Sequence, residues 1–237
     1  MRALALIPAH KEAASLPSVV RELRERRPAL DILVVDDASD DETPALLPSL
    51  GVRWLRLPVH LGIGGALRAG LRYARRLDAE AVVRVDGDGQ HDAREVGRLL
   101  APIERDAADA VQGSRYLDAG DYPTPGLRRL GQRALALAMA RLAGQPVTDP
   151  TSGFWAFGPR AVSLLGAHHP TGYPEPELRL FLARNGLRVR EVPVRMRTRL
   201  AGHSSLTVPR AGLAMARIAL ALLVVPLRAA VESPVRD

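Results

Sequence analysis

Short apolar runs alternate with amphipathic stretches through the first half of the chain. Ala3–Ile7, Ile32–Val35, Val52–Leu57, Val82–Val85 and Ala110–Gly113 are rich in valine, leucine and isoleucine. They have the length and bounding residues of buried strands. Between them, Ser15 is placed to cap a helix running to about Arg27, with Pro17 in its first turn. Thr43-Pro44 starts a short helix, and Gly62–Leu77 and Ala93–Arg105 carry helical periodicity. Strands alternating with helices predict an α/β fold, mostly parallel, with right-handed crossovers.

The rhythm changes after Arg115. A polar, proline- and glycine-containing loop over Tyr116–Gly126 precedes a long helical pattern, Leu127–Ala143. Asp149–Gly153 reads as a turn into a short strand, Phe154–Phe157. His168–Pro176 reads as a loop, Glu177–Asn185 as a helix and Val189–Val194 as a last strand. The division this predicts is a catalytic domain over 1–208, with halves 1–115 and 116–208, and a C-terminal helix and tail over 209–237. In that tail Ile218–Leu227 is uninterrupted apolar sequence, too short to span a bilayer. At helical periodicity Arg210, Arg217 and Arg228 share one face. This predicts an amphipathic helix either on lipid headgroups or packed in the domain or a homodimer interface, with Pro226 breaking its last turn.

Composition narrows the chemistry. Cysteine is absent, which excludes disulfides, thiolate metal sites and cysteine nucleophiles. The apolar stretch at the N-terminus is too short for a secretory signal, so a cytoplasmic protein is expected, peripheral to the membrane if the tail meets lipid. The formal charge is +7, and Lys11 is the only lysine. Arginine binds phosphate bidentately, so a surplus of it fits phosphate ligands or an anionic membrane. No nucleic-acid partner is expected: aromatic residues are 4% of the chain and no basic stretch interleaves with them.

The most informative residues follow the strand over Ala81–Val85. Asp86-Gly87-Asp88-Gly89-Gln90 puts two carboxylates where a strand ends, and ligands of open α/β sheets sit outside the carboxyl ends of strands. Mg2+ takes one or two carboxylates plus substrate phosphates. Asp86 and Asp88 are therefore predicted to hold a divalent cation on a diphosphate, with Gln90 as a neutral oxygen donor. The spacing is not that of an EF-hand, since His91 stands where its glycine would be. Asp36 and Asp37 end the second strand, as acceptors for a nucleobase or ribose or as support for a metal. Asp40, Asp41 and Glu42 suit an acidic cap on the next helix. Gly62-Ile63-Gly64-Gly65 fails the dinucleotide fingerprint, because Leu67 occupies its sixth position. Arg115, Arg128 and Arg129 are candidate phosphate contacts. Glu175 and Glu177 are candidate general bases for a hydroxyl acceptor, or caps of the helix that follows. A phosphate acceptor, already ionised, needs no base.

Taken in order, several segments resemble the inverting GT-A glycosyltransferases. They are Pro8-Ala9-His10-Lys11-Glu12, Val34-Val35-Asp36-Asp37-Ala38-Ser39-Asp40, Val85-Asp86-Gly87-Asp88-Gly89-Gln90-His91, Asp149-Pro150-Thr151-Ser152-Gly153-Phe154 and Gly202-His203-Ser204-Ser205. Within that group the chain is similar to dolichol-phosphate mannose synthase and bacterial polyprenyl-phosphate sugar transferases. The resemblance implies a nucleoside-diphosphate sugar donor, UDP- or GDP-linked, and a lipid-phosphate acceptor. It implies Pro8, Glu12 and Asp37 around the nucleoside with Asp36 nearby, and Mg2+ or Mn2+ on Asp86, Asp88 and Gln90. Arg115 and Ser152 would lie near the sugar or acceptor, and Arg199 in a loop that closes on the donor phosphates. His10 and Lys11 replace the usual aromatic and asparagine of the first segment. A sugar nucleotidyltransferase is the competing enzyme, though Pro8–Glu12 lacks its glycine- and arginine-rich loop. A non-catalytic nucleotide-sugar or membrane binding protein is the competing reading from another class.

Overall fold

The computed structural model describes residues 1–117, 126–170 and 174–198. Seven strands form one sheet in the order β3-β2-β1-β4-β6-β5-β7. They are β1 (Ala3–Ala9), β2 (Asp31–Asp36), β3 (Arg53–Arg56), β4 (Ala81–Arg84), β5 (Ala110–Ser114), β6 (Trp155–Phe157) and β7 (Val189–Pro193). All pairs are parallel except those of β6, which lies antiparallel between β4 and β5. The sheet is the mixed, mostly parallel one that the sequence predicts.

Alternation along the central strands sorts the core into two layers. Ala5 and Ile7 of β1, Ile32 and Val34 of β2, and Val83 of β4 face one side. There they meet Leu16, Val19 and Leu23 of α1 (Leu16–Arg26), and Val96, Leu99 and Ile103 from the segment Val96–Glu104. Leu4, Leu6, Leu33, Val35 and Val82 face the other side. They meet Leu67 and Leu71 from the helix Gly62–Arg76, and Leu164, Leu165, Leu178 and Leu182 from two later helices. In chain order the remaining helices are α2 (Thr43–Leu46), α3 (Gly62–Arg76), α4 (Val96–Glu104), α5 (Gly126–Ala143), α6 (Pro159–His168) and α7 (Pro174–Arg184). Buried on both faces, β1 has seven core residues in succession, the signature of a central parallel strand. The edge strand β3 is short and mostly exposed, as edges are.

Two expectations are corrected. Helix α6 occupies a stretch to which the sequence pattern assigned no element. Helix α7 begins at Pro174, not Glu177, so Glu175 and Glu177 both lie in its first turn. The predicted C-terminal helix over 209–237, with Arg210, Arg217, Pro226 and Arg228, falls outside the described residues, as do Arg199 and Gly202-His203-Ser204-Ser205.

β1 is where the strand order reverses: β2 and β3 lie on one side of it, β4 on the other. The loops after β1 and β4 therefore diverge at a topological switch point and leave a crevice beyond the strand ends.

Candidate active site

That crevice is a cleft of about 180 Å³ lined by Pro8, Ala9, His10 and Glu12 after β1, Asp37 after β2, His60, Ile63 and Ala66 at the start of α3, and Asp86, Gly87 and Asp88 after β4. Six of the predicted site residues thus form its walls, or adjoin them directly: Pro8, Glu12, Asp37, Asp86 and Asp88 line it, and Asp36 is the buried neighbour of Asp37.

The loops after β1 and β2 are tied to one another. Lys11 and Ala38 both adopt positive φ, at 59° and 53°, a conformation non-glycine residues avoid unless their surroundings impose it. Here the Lys11 N–H donates to Ser39 Oγ at 3.0 Å, and the Ser39 N–H donates to Asp36 Oδ1 at 3.2 Å. The Lys11 ammonium meets Asp40 at 2.7 Å. Asp36 is fully buried, with Arg56 Nε 3.4 Å from its Oδ2 and no hydrogen bond to that oxygen. It braces the loop from beneath. Asp37 faces the cleft: its Oδ1 accepts from the Leu61 N–H at 2.7 Å, and His60 Nδ1 lies 2.9 Å from its Oδ2. His10 Nδ1 donates to the Asp37 carbonyl at 2.9 Å, and the His10 and His60 rings stand 4.1 Å apart. Glu12 is oriented by the Ser15 hydroxyl, which donates to its Oε2 at 2.7 Å. Two imidazoles and two carboxylates therefore surround this end of the cleft.

The other wall is built around a buried cation. Arg84 Nε donates to Asp86 Oδ1 at 2.9 Å, and one terminal nitrogen donates to Glu175 Oε1 at 3.1 Å. Its side chain is only 3% exposed. Burial opposes its charge, but Asp86 and Glu175 outweigh that and hold the guanidinium protonated more firmly than usual. Gly153 sits against this pair: a Cβ there would lie 2.8 Å from the guanidinium and 3.3 Å from Asp86 Oδ2. The Asp86 N–H donates to His91 Nδ1 at 3.0 Å, which fixes the tautomer with hydrogen on Nε2. Burial pushes the His91 imidazole down to about 4, with Arg84 and Arg115 adding to the effect against Asp86, and the ring stacks on Phe154 at 4.3 Å. A neutral histidine thus clips the start of the acidic loop. Asp88 Oδ1 accepts the Gln90 N–H at 3.0 Å, turning the loop back. Gln90 Nε2 donates to the Arg197 carbonyl at 3.4 Å, and the side chain is not among the cleft walls.

Arg115 is anchored beside this wall. Its Nε and a terminal nitrogen donate to the two oxygens of buried Asp149 at 2.6 and 2.7 Å, and the terminal nitrogen also reaches Thr151 Oγ1 at 2.9 Å. Such a bidentate pair sets the guanidinium plane. Ser152 is buried, with its Oγ accepting the Phe154 N–H at 3.3 Å. Arg84, His60, Asp149 and His91 are the residues the sequence reading did not single out as partners of the site. A lone arginine inside a buried strand was a usable signal, because buried charges need a partner.

A divalent cation fits these residues on the chemistry of their donors. Asp86 and Asp88 supply hard oxygens to the same cleft. No group of three histidine, aspartate or glutamate side chains converges among the described residues. The protein alone therefore offers too few ligands for a closed cage, the situation of Mg2+ or Mn2+ completed by substrate phosphates.

The model for "Glycosyl transferase family 2" matches residues 5–164. The chain belongs to glycosyl transferase family 2. As a member of that family it is a glycosyltransferase, and its sheet is the GT-A architecture. It is 35% identical over 222 residues to the undecaprenyl-phosphate mannosyltransferase of Micrococcus luteus, covering 87% of this chain and 88% of that one. It is 32% identical over 228 residues to the polyprenol monophosphomannose synthase of Mycolicibacterium smegmatis, covering 92% and 86%. Among solved structures, glucosyl-3-phosphoglycerate synthase from Mycobacterium tuberculosis, in complex with Mn2+, uridine-diphosphate-glucose and phosphoglyceric acid, superposes with a TM-score of 0.69. The identity is 22%, over 94% of this chain and 78% of that one. At that identity the likeness carries the fold.

Proposed function

We propose that this glycosyltransferase moves a sugar, with inversion, from a nucleoside-diphosphate sugar to a polyprenyl phosphate. The observation that carries the reading is the convergence of Glu12, Asp37, Asp86 and Asp88 on one cleft at the switch point of a family 2 fold. The names of the two relatives support the lipid-phosphate acceptor.

In this reading Asp37 and Glu12 accept hydrogen bonds from the nucleoside, with the His10–His60 pair beside them. Asp86 and Asp88 hold Mg2+ or Mn2+ on the donor diphosphate. The cation supplies Lewis-acid stabilisation of the charge that develops on the leaving nucleotide. Arg84 holds the Asp86 carboxylate in place at the cleft wall. Arg115, fixed by Asp149, places a guanidinium charge beside the anionic acceptor. Arg199, in the predicted closing loop, adds positive charge over the phosphates. Glu175 and Glu177 are not required as bases, because a phosphate nucleophile arrives without a proton to lose. The enzyme acts peripherally at the cytoplasmic face of the membrane that holds its acceptor.

The test is sugar transfer from UDP- and GDP-sugars to a short-chain polyprenyl phosphate, read as product extracted into organic solvent. Transfer should need Mg2+ or Mn2+, and the product should carry inverted anomeric configuration. Asp86→Asn and Asp88→Asn should each lower kcat by about a hundredfold or more, the scale of several kcal/mol of lost charge stabilisation. Metal-independent transfer, or none from any donor, would overturn the reading. Glu175→Ala with Glu177→Ala should retain transfer to the phosphate; complete loss would restore a base.

A further inference from the structure

Helix α7 buries one arginine in a row of leucines. Leu178, Leu180 and Leu182 pack into the core, and between them Arg179 is 1% exposed. Burial pulls its guanidinium below the usual range, with Glu191 opposing, and its Nε has no hydrogen-bond partner. An apolar side chain of similar volume would meet neither cost, so stability does not explain the charge. What the guanidinium supplies is geometry. One terminal nitrogen donates to Gln112 Oε1 of β5 at 2.8 Å and to Glu191 Oε1 of β7 at 3.2 Å. The other donates to the Pro146 carbonyl.

All three acceptors lead to one loop, residues 146–152. Glu191 accepts from the Thr148 N–H at 2.9 Å, the Thr148 hydroxyl at 2.7 Å and the Asp149 N–H at 3.3 Å. Gln112 Nε2 donates to the Ser152 carbonyl at 2.9 Å. One buried side chain thus braces the loop at its start, middle and end. Within that loop Asp149 and Thr151 grip Arg115. We infer that Arg179 is a positioning residue: it sets the 146–152 loop so that the Arg115 guanidinium meets the acceptor. Its bonds go to β5, β7 and this loop, whereas Glu12, Asp37, Asp86 and Asp88 stand on the loops after β1, β2 and β4. The effect therefore falls on the acceptor and not on the donor. That assignment rests on the function proposed above; the bracing of the loop rests on the hydrogen bonds alone.

The test compares the parent with Arg179→Met on the full chain. In hydrogen exchange read by mass spectrometry, the Thr148 and Asp149 amides should exchange faster in the variant. In transfer from UDP- and GDP-sugars to a short-chain polyprenyl phosphate, the acceptor KM should rise by about tenfold, while the donor KM stays within about twofold. Removing the arginine strands the Glu191 carboxylate, so the variant also loses stability. Two further proteins separate that loss from positioning. Leu182→Ala cuts a cavity beneath the same helix and should leave the acceptor KM in place. Glu191→Gln added to Arg179→Met removes the stranded charge: stability should recover in part, and the acceptor KM should stay raised. An unchanged acceptor KM overturns the inference. So does an equal rise in Leu182→Ala, or a donor KM that rises in step, the sign that α7 has shifted the Arg84 wall through Glu175. Should Arg179→Met fail to fold, the double variant decides. A parent that transfers to no acceptor sinks the transferase reading. The exchange of Thr148 and Asp149 then decides the bracing by itself, and unchanged rates overturn it.

Discussion

Arg84 shows how one side chain can hold a site together. Arg84 ends β4 and Asp86 lies two residues further on in the loop, where its carboxylate folds back onto the guanidinium, and Glu175 arrives from the first turn of α7. The sequence made Asp86 and Asp88 legible because two carboxylates at a strand end have few other uses. Arg84 is hidden inside an apolar run, although a charge in the middle of a buried strand needs a partner. Removing one member of a buried ion pair leaves an uncompensated charge, worth about 3–5 kcal/mol in full burial. The two carboxylates here keep some exposure, 27% and 23%, so Arg84→Met should lower the unfolding free energy by about 2–4 kcal/mol in urea titrations. Adding Glu175→Gln should return part of that loss; no recovery would show that the repulsion between Asp86 and Glu175 is not its source. Gly153→Ala tests the same pair from the other side. Its Cβ would displace the guanidinium from Asp86, so kcat should fall by about tenfold and the thermal midpoint should drop with it.

Among the elements, all seven strands and the amphipathic helices were legible, and the helix with a largely buried apolar body, α6, was not. Helices α1 and α3 have a polar face that marks the period. Helix α6 does not: Ala161, Val162, Leu164, Leu165 and Gly166 are all buried, so the stretch reads as a plain apolar run. Its start lies in Gly158-Pro159, where the glycine is the N-cap residue and the proline opens the first turn. Strand β6 was recognised, yet its antiparallel insertion between β4 and β5 was not, because pairing partners far apart in sequence leave no local signal. Helix α3 carries two duties: it presents the Leu61 N–H, His60 and Ile63 to the cleft, and it packs on β1. At Gly70 a Cβ would lie 2.2 Å from Leu6 Cδ1 and 3.1 Å from its Cγ, and Leu6 is fully buried. Gly70→Ala gains about 1 kcal/mol of helix propensity, but overpacking costs about 1–3 kcal/mol when the displaced side chain has nowhere to go. The net expectation is a destabilisation of up to about 2 kcal/mol in calorimetry. A stabilised variant would mean that α3 lifts off β1 freely, and the cleft would then tolerate movement of its own wall.

For the molecule as a whole, the sheet order places the cleft and the two-layer core fixes the loops around it, but the same burial makes stability depend on pH. His169 follows α6 and is 4% exposed. Its Nδ1 donates to the Pro170 carbonyl at 2.7 Å, and its Nε2 has no partner. Burial pushes the imidazole down to about 4, the Pro170 carbonyl opposing and Arg84 and Arg68 adding to the shift. In the unfolded chain the same ring titrates near its ordinary 6.5. Between those two values the unfolded state binds the proton and the folded state does not, so stability falls as pH drops from about 6.5 to about 4 and levels off below. The full span corresponds to about 3 kcal/mol. Asparagine keeps an N–H donor for the Pro170 carbonyl and cannot titrate. The stability difference between the parent and His169→Asn, followed by denaturant titration from pH 7.5 to 4.5, should therefore change in favour of the variant as the solution is acidified. Because both proteins retain His91 and every carboxylate, their common acid sensitivity cancels in the comparison. Parallel pH curves would mean that His169 opens to water before it has to charge.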